Sequence, residues 1–273
     1  MIRIIGDSAS DITQAEAKEL GIDILPLTTR FGEEEYRDGV DIDADTFYEK
    51  LVSTEEIPQT SMIPPIEYDK IYSKYDGDDI VVITISSKLS GCFQSARLMG
   101  NEHKNVYVVD SRSVTITEGN LVRYAIELRD KGLSAKEIYE ILEEKKKNLR
   151  LFAAFDTLKY LEKGGRISSV AAAFGKLASI KPIVSIEDGE MKVAAKARGV
   201  KGARETLDKL IKESGEIDYD MPLYFGYTGN DTSLLEAFRE EYPEYKDIVV
   251  RRVGAVVGTH AGPGCYGFMY FVK

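Results

Sequence analysis

A chain of 273 residues, 43% of them apolar and 30% charged, can bury a sizeable core, and its length favours two domains. The formal net charge of −10 argues against nucleic acid as a partner, because a phosphate backbone needs a positive face. No run reaches the ~20 apolar residues of a membrane span, and two cysteines and two histidines without ligand spacing argue against a metal site or a disulfide framework.

Ile2–Ile5 reads as a strand that stops at the polar turn GDSASD, and no signal-peptide pattern follows it. Thr13–Leu20 reads as a helix closed by Gly21, and Ile22–Thr29 as a second strand, placed at an edge or bulge by Pro26. FGEEEYRDG is a charged hairpin or flap, and Asp43 or Asp45 caps a helix through Leu51. The irregular IPQTSMIPP precedes a helix over Ile66–Tyr75. Ile80–Ile85 is the best candidate for a buried parallel strand, with a helix after Ser90. Val106–Asp110 is another strand, followed by helices at Glu118–Arg129 and Ser134–Asn148. Strands alternating with helices predict an α/β fold with a largely parallel sheet.

Beyond the lysine run Lys145–Lys147 the pattern changes, which places a domain boundary around Lys147–Arg150, with domains over 1–149 and 150–273. Leu151–Phe155 is a strand, and a helix over Thr157–Glu162 is stopped by Gly164-Gly165. The alanine-rich Ser168–Ile180 reads as helical, and Pro182–Ile186 and Met191–Lys196 form a hairpin about Asp188-Gly189. A helix (Val200–Glu213), a strand (Leu223–Tyr227), a helix (Ser233–Tyr242) and strands at Ile248–Val253 and Phe268–Val272 complete an α/β second half with a mixed or antiparallel sheet. Between the last two strands lies Gly254–Gly267, with five glycines and His260, read as a loop in which backbone comes close to something.

Three hydroxyl-bearing loops adjoin elements of the first half: Ser8–Ser10, Thr60–Ser61 and Ser86–Ser90. In an open parallel sheet, ligands bind beyond the C-terminal strand ends, where helix N-termini offer free N–H groups. Ser90 and the Ser90–Gly91 amides suit an oxyanion there, while helix capping by Ser90 explains the same residues. Thr60–Ser61, between Pro58 and Pro64-Pro65, is restricted and reads as irregular chain or as a cap for the following helix. Arg166 of LEKGGRIS offers a fixed guanidinium fork to an anion, or a surface ion pair to Glu162. The basic stretch Lys192–Arg204 would suit an acidic partner or simply be a solvated face. A serine-dependent acyl hydrolase using Ser90 and His260 is the alternative from another class, although no GxSxG elbow is present.

GDSASDIT, PLTTRFGEEEYRDGVDI, PQTSMIPP, ISSKLSGCFQSA, VVDSRSVT, LEKGGRIS, KPIVSIEDG and GTHAGPG follow one another along nearly the whole chain. In this order they resemble the DegV family of bacterial fatty-acid-binding proteins. The resemblance implies two α/β domains holding a long-chain fatty acid. It places the carboxylate on Thr60, Ser61 and Ser90, with Arg166 and His260 near the head group. It further implies a non-catalytic carrier, which presents the carboxylate to a separate fatty acid kinase for acyl-phosphate formation; the cysteine usage and the lack of a signal-peptide pattern add a reducing, cytoplasmic setting and no cofactor on Cys/His ligands. Met62 stands where the family often has glutamine and Cys92 where threonine is common, so the head-group surroundings are less polar. The apolar runs Ser168–Ile180, Ile80–Ile85 and Leu223–Phe225 are candidate walls for the tail.

Overall fold

The structure, a computed structural model, describes residues 1–167 and 179–273. Strand β1 (Ile2–Asp7) ends where the Asp7 carboxylate accepts the Ala9 N–H, which turns the chain into a short 3-10 segment. Helix α1 (Gln14–Leu20) starts at Thr13, whose hydroxyl accepts the Glu16 N–H, and stops at the left-handed Gly21. Strand β2 (Asp23–Leu25) lies at a sheet edge. After Pro26 the chain leaves that sheet for β3 (Thr28–Phe31), so the single strand predicted over Ile22–Thr29 is two strands in two sheets. Proline has no N–H to continue a ladder, and the break falls where that donor is missing.

Strand β3 pairs with β4 (Glu34–Arg37) as the expected charged hairpin, then with β5 (Gln59–Ser61) across its other edge. Between them lies α2 (Ala44–Ser53), capped by the Asp43 carboxylate on the Thr46 N–H. Next come α3 (Pro65–Lys74), β6 (Asp79–Thr84), α4 (Cys92–Gly100), β7 (Val106–Asp110), α5 (Thr115–Asp130) and α6 (Ala135–Lys145). The parallel sheet runs β2-β1-β6-β7, with β6 inside it and five of its six residues buried.

The second half contributes β8 (Leu149–Ala154), α7 (Lys159–Lys163), β9 (Ile180–Glu187), β10 (Glu190–Arg198), α8 (Gly199–Glu213) and β11 (Tyr224–Tyr227). It continues with α9 (Ser233–Glu241), β12 (Val250–Arg252), α10 (Ala255–Ala261) and β13 (Tyr266–Phe271). These strands form one six-stranded sheet in the order β10-β9-β8-β13-β11-β12, antiparallel except for the β11–β12 pair. The predicted alanine-rich helix falls almost wholly outside the described residues.

Alternation along the strands gives this sheet two faces. One carries Phe225, Phe268 and Tyr270 in a cluster with Leu207 of α8 and Phe238 of α9. The other carries Leu151, Ala153 and Met269, which join Ile5, Val82 and Ile85 of the first half in one core. The β9–β10 turn also reaches across, where the Ser86 hydroxyl donates to the Gly189 carbonyl at 2.7 Å. Gly189 has φ +85°, and a Cβ there would sit 2.5 Å from the Ser86 oxygen, so both conformation and space call for glycine.

Candidate functional site

A cavity of about 240 Å³ lies between the two halves. Its walls are mainly apolar: Leu27, Ile85 and Val114 from the first half, Leu151, Val256 and Met269 from the second. The six residues singled out from the sequence, Thr60, Ser61, Ser90, Gly91, Arg166 and His260, all line it.

Four local structures bring those residues together. Thr60 and Ser61 belong to β5, in register with Thr29 and Thr28 of β3, so the pair expected in irregular chain ends a short strand. It caps no helix: the N-cap position of α3 is Pro64, whose side chain has no oxygen to accept an N–H, and Pro65 follows in the first turn. Ser90 stands one residue before the cap position of α4, which Gly91 occupies. The Ser90 hydroxyl donates to the Cys92 sulfur at 3.2 Å rather than capping the helix strongly; its contact with the Cys92 N–H is 3.4 Å. The Met62 thioether lies over Gly91, where a Cβ would come within 2.3 Å of the sulfur.

His260 is not in a loop. It sits in the last turn of α10, so a helix positions it. A glycine within a helix costs up to ~1 kcal/mol relative to alanine, but Gly258 lets α10 press against α2. A Cβ there would lie 2.6 Å from the Tyr48 hydroxyl and 2.7 Å from the Phe47 ring. The N-terminus of α10 is tied to the first half by carboxylates: Asp11 accepts the Gly254 N–H at 2.7 Å and Asp38 the Ala255 N–H at 3.1 Å. Gly262, with φ +72°, ends the helix against the Tyr160 ring. The glycine-rich stretch thus serves close approach, as its composition suggested, but through helix packing.

Thr60 Oγ1 and His260 Nε2 share a hydrogen bond of 2.8 Å. Burial, and then the positive field of Arg166, bring the imidazole pKa down to about 4, so the ring is neutral at physiological pH. Its Nδ1 is buried, has no hydrogen-bond partner among the described residues, and faces Gly164, where a Cβ would stand 2.1 Å away. Arg166 is half-buried; its Nε donates to the Leu89 carbonyl at 3.2 Å and its Nη1 to the Gly164 carbonyl at 2.6 Å. Among the described residues it pairs with no carboxylate, so the surface ion pair with Glu162 is not formed. A partly desolvated guanidinium with backbone carbonyls on one side keeps an unmet preference for an anion.

The Ser90 hydroxyl is directed to Cys92, and no carboxylate stands behind the His260 Nδ1 among the described residues, so the parts of a Ser–His–acid triad are not assembled. Of the proposed tail walls, Ile85 lines the cavity, whereas Phe225 is buried on the opposite sheet face.

Sequence reasoning missed a buried acidic group behind the cavity wall. Asp7, Asp11 and Asp38 are raised to about 6, 7 and 6, in each case chiefly by burial. Glu118 is pushed well above the usual carboxylate range by burial and then by Asp7. GDSASD, which holds Asp7 and Asp11, had read as a polar turn, and Asp38 as part of a charged flap; the packing of α10 and α5 buries them.

These features define a class: an α/β protein whose two sheets enclose an apolar cavity rimmed by hydroxyls, one neutral imidazole and one guanidinium. The chain belongs to the DegV family; the family model, described as an uncharacterised protein of the DegV family, matches residues 1–273. It is 34% identical to a DegV domain-containing protein of Caldanaerobacter subterraneus, covering 100% of this chain and 99% of that protein. A fatty-acid-binding DegV family protein from Thermus thermophilus superposes with a TM-score of 0.89 at 31% identity, over 100% of this chain and 99% of that one. A stearic acid-binding protein from Eubacterium ventriosum gives 0.86 at 27% identity over the same shares.

Proposed function

We propose that this protein binds one long-chain fatty acid, tail in the cavity and carboxylate at the rim formed by Thr60, Ser61, Ser90 and the Gly91 amide, with Arg166 and His260 beside it. The observation that carries this reading is the coincidence of an apolar cavity with those six residues on its wall. Burying about fifteen methylenes at ~0.8 kcal/mol each supplies on the order of 12 kcal/mol before ordering costs, so the tail provides affinity. The hydroxyls orient the carboxylate, and Arg166, the group with unmet demand for an anion, supplies the countercharge. The two solved structures described above, one of a fatty-acid-binding protein and one of a stearic acid-binding protein, support the same ligand class.

On this reading the chain is a carrier that works in the cytoplasm, divided into domains over 1–149 and 150–273. It offers its carboxylate to a separate fatty acid kinase that brings the nucleotide site; this step rests on the family resemblance. Native mass spectrometry of protein purified from cells is the direct test. An adduct of fatty-acid mass is expected, and failure both to carry one and to acquire one on incubation would refute the reading.

A further inference from the structure

Helix α10 runs away from the rim along the cavity. His260 in its last turn and Val253, just before its N-cap, both line the cavity. At 1.5 Å per residue the helical stretch Ala255–His260 alone spans about 8 Å along the axis. At the Val253 end the Val253 N–H donates to the Tyr227 carbonyl of β11 at 2.9 Å, and the preceding residue, Gly226, is part of the cavity wall.

Gly226 is in register with Gly267 of β13, which is in register with Ala153 of β8, and all three line the cavity. The two glycines have different causes. A Cβ on Gly267 would stand 2.5 Å from the Phe152 carbonyl oxygen, so close strand approach demands glycine there. A Cβ on Gly226 would instead meet the movable ends of two side chains, Ile116 Cδ1 at 2.7 Å and Met269 Cε at 3.0 Å. Both ends rest on bare backbone in the middle of a strand, a position where glycine commonly marks close approach of another group. Met269 also lines the cavity, so whatever lifts it off Gly226 takes volume from the far end.

We propose that Gly226 sets the length of tail this cavity accepts, by letting Ile116 and Met269 sink against the sheet and leave the far end open. The inference rests on the fatty-acid reading and names the structural determinant of chain length within it. A G226A methyl pushes the thioether into the far end and shortens the compartment. M269A removes the thioether and lengthens it.

The test is competition for one site. Delipidated wild-type protein, G226A and M269A, each checked for folding by circular dichroism, are incubated with equimolar myristic, palmitic and stearic acids, and adducts are counted by native mass spectrometry. Losing burial of two methylenes corresponds to roughly a tenfold change, so the stearate-to-myristate ratio should fall about tenfold in G226A relative to wild type. In M269A it should rise. Equal weakening of all three acids in G226A, or an unchanged ratio in either folded variant, overturns the inference. Should G226A fail to fold, the M269A ratio decides alone. Uptake of none of the acids by wild-type protein overturns the fatty-acid reading itself, a result distinct from an unshifted ratio.

Discussion

Arg166 and His260 divide the work at the rim by their charge states. The imidazole, at about 4, enters the hydrogen bond with Thr60 as a neutral group. Proton NMR on a His103→Gln variant, which leaves one ring to follow, should show His260 uncharged from pH 8 to pH 5. A midpoint near 6.5 would contradict the burial argument. Burial also lowers the Arg166 pKa, but its guanidinium remains charged and lacks a carboxylate partner among the described residues. A hydrogen bond between charged groups contributes about 1.5–3 kcal/mol, so R166M should weaken fatty-acid binding roughly tenfold to a hundredfold. Binding of the matching fatty alcohol should not change. Equal loss for acid and alcohol would assign Arg166 a packing role instead. At this scale the sequence was informative about which residues face the cavity, because several uncommon motifs carried them. It was silent about their partners: the Thr60–His260 contact joins residues 200 apart in sequence, and no local pattern encodes such a meeting.

Among the elements, α10 differs most from its expectation. Five glycines between two strands read as a loop, yet carboxylates of Asp11 and Asp38 on its first amides and the aromatic bed of α2 support a helix. Helix propensity is local and tertiary packing overrode it here. Substituting alanine for an exposed helical glycine usually stabilises by up to ~1 kcal/mol, but Gly258 predicts the reverse sign. Its new methyl would collide with Phe47 and Tyr48, and overpacking of this kind costs about 1–3 kcal/mol. G258A should therefore lower the thermal midpoint in calorimetry; a raised or unchanged midpoint would show that α10 is free to move away from α2. Most other elements were legible because their signals are local: caps at Thr13, Asp43 and Ser134, and the Asp188-Gly189 turn between β9 and β10. Pro26 was read correctly as a disturbance, but not as the point where the chain changes sheet.

Over the whole molecule the buried acids set an unusual dependence of stability on pH. A carboxyl whose folded pKa exceeds its unfolded value stabilises the fold while protonated, and that contribution is lost as pH rises through the folded value. Asp7, Asp11 and Asp38 stand at about 6, 7 and 6 against an ordinary 3.8, and Glu118 is raised as well. His260, lowered from 6.5 to about 4, acts in the opposite sense, since protonating it on acidification costs stability. Several carboxyls outweigh one imidazole. Exposed carboxylates lowered by surface partners, such as Asp41, are already ionised across this window in folded and unfolded chains alike. Urea denaturation should thus give an unfolding free energy larger at pH 5 than at pH 7.5, by on the order of a few kcal/mol. Stability that rises with pH over that interval would mean the four acids are solvated in the native state.

Strand β13 is the last of the six in the chain, yet it lies in the middle of its sheet, between β8 and β11. While the polypeptide is still leaving the ribosome, those two neighbours have no partner between them, and the floor bearing Gly267 and Met269 does not exist. The cavity is closed only after synthesis has run through β13, and until then the nascent chain carries two unpaired edges that invite mispairing.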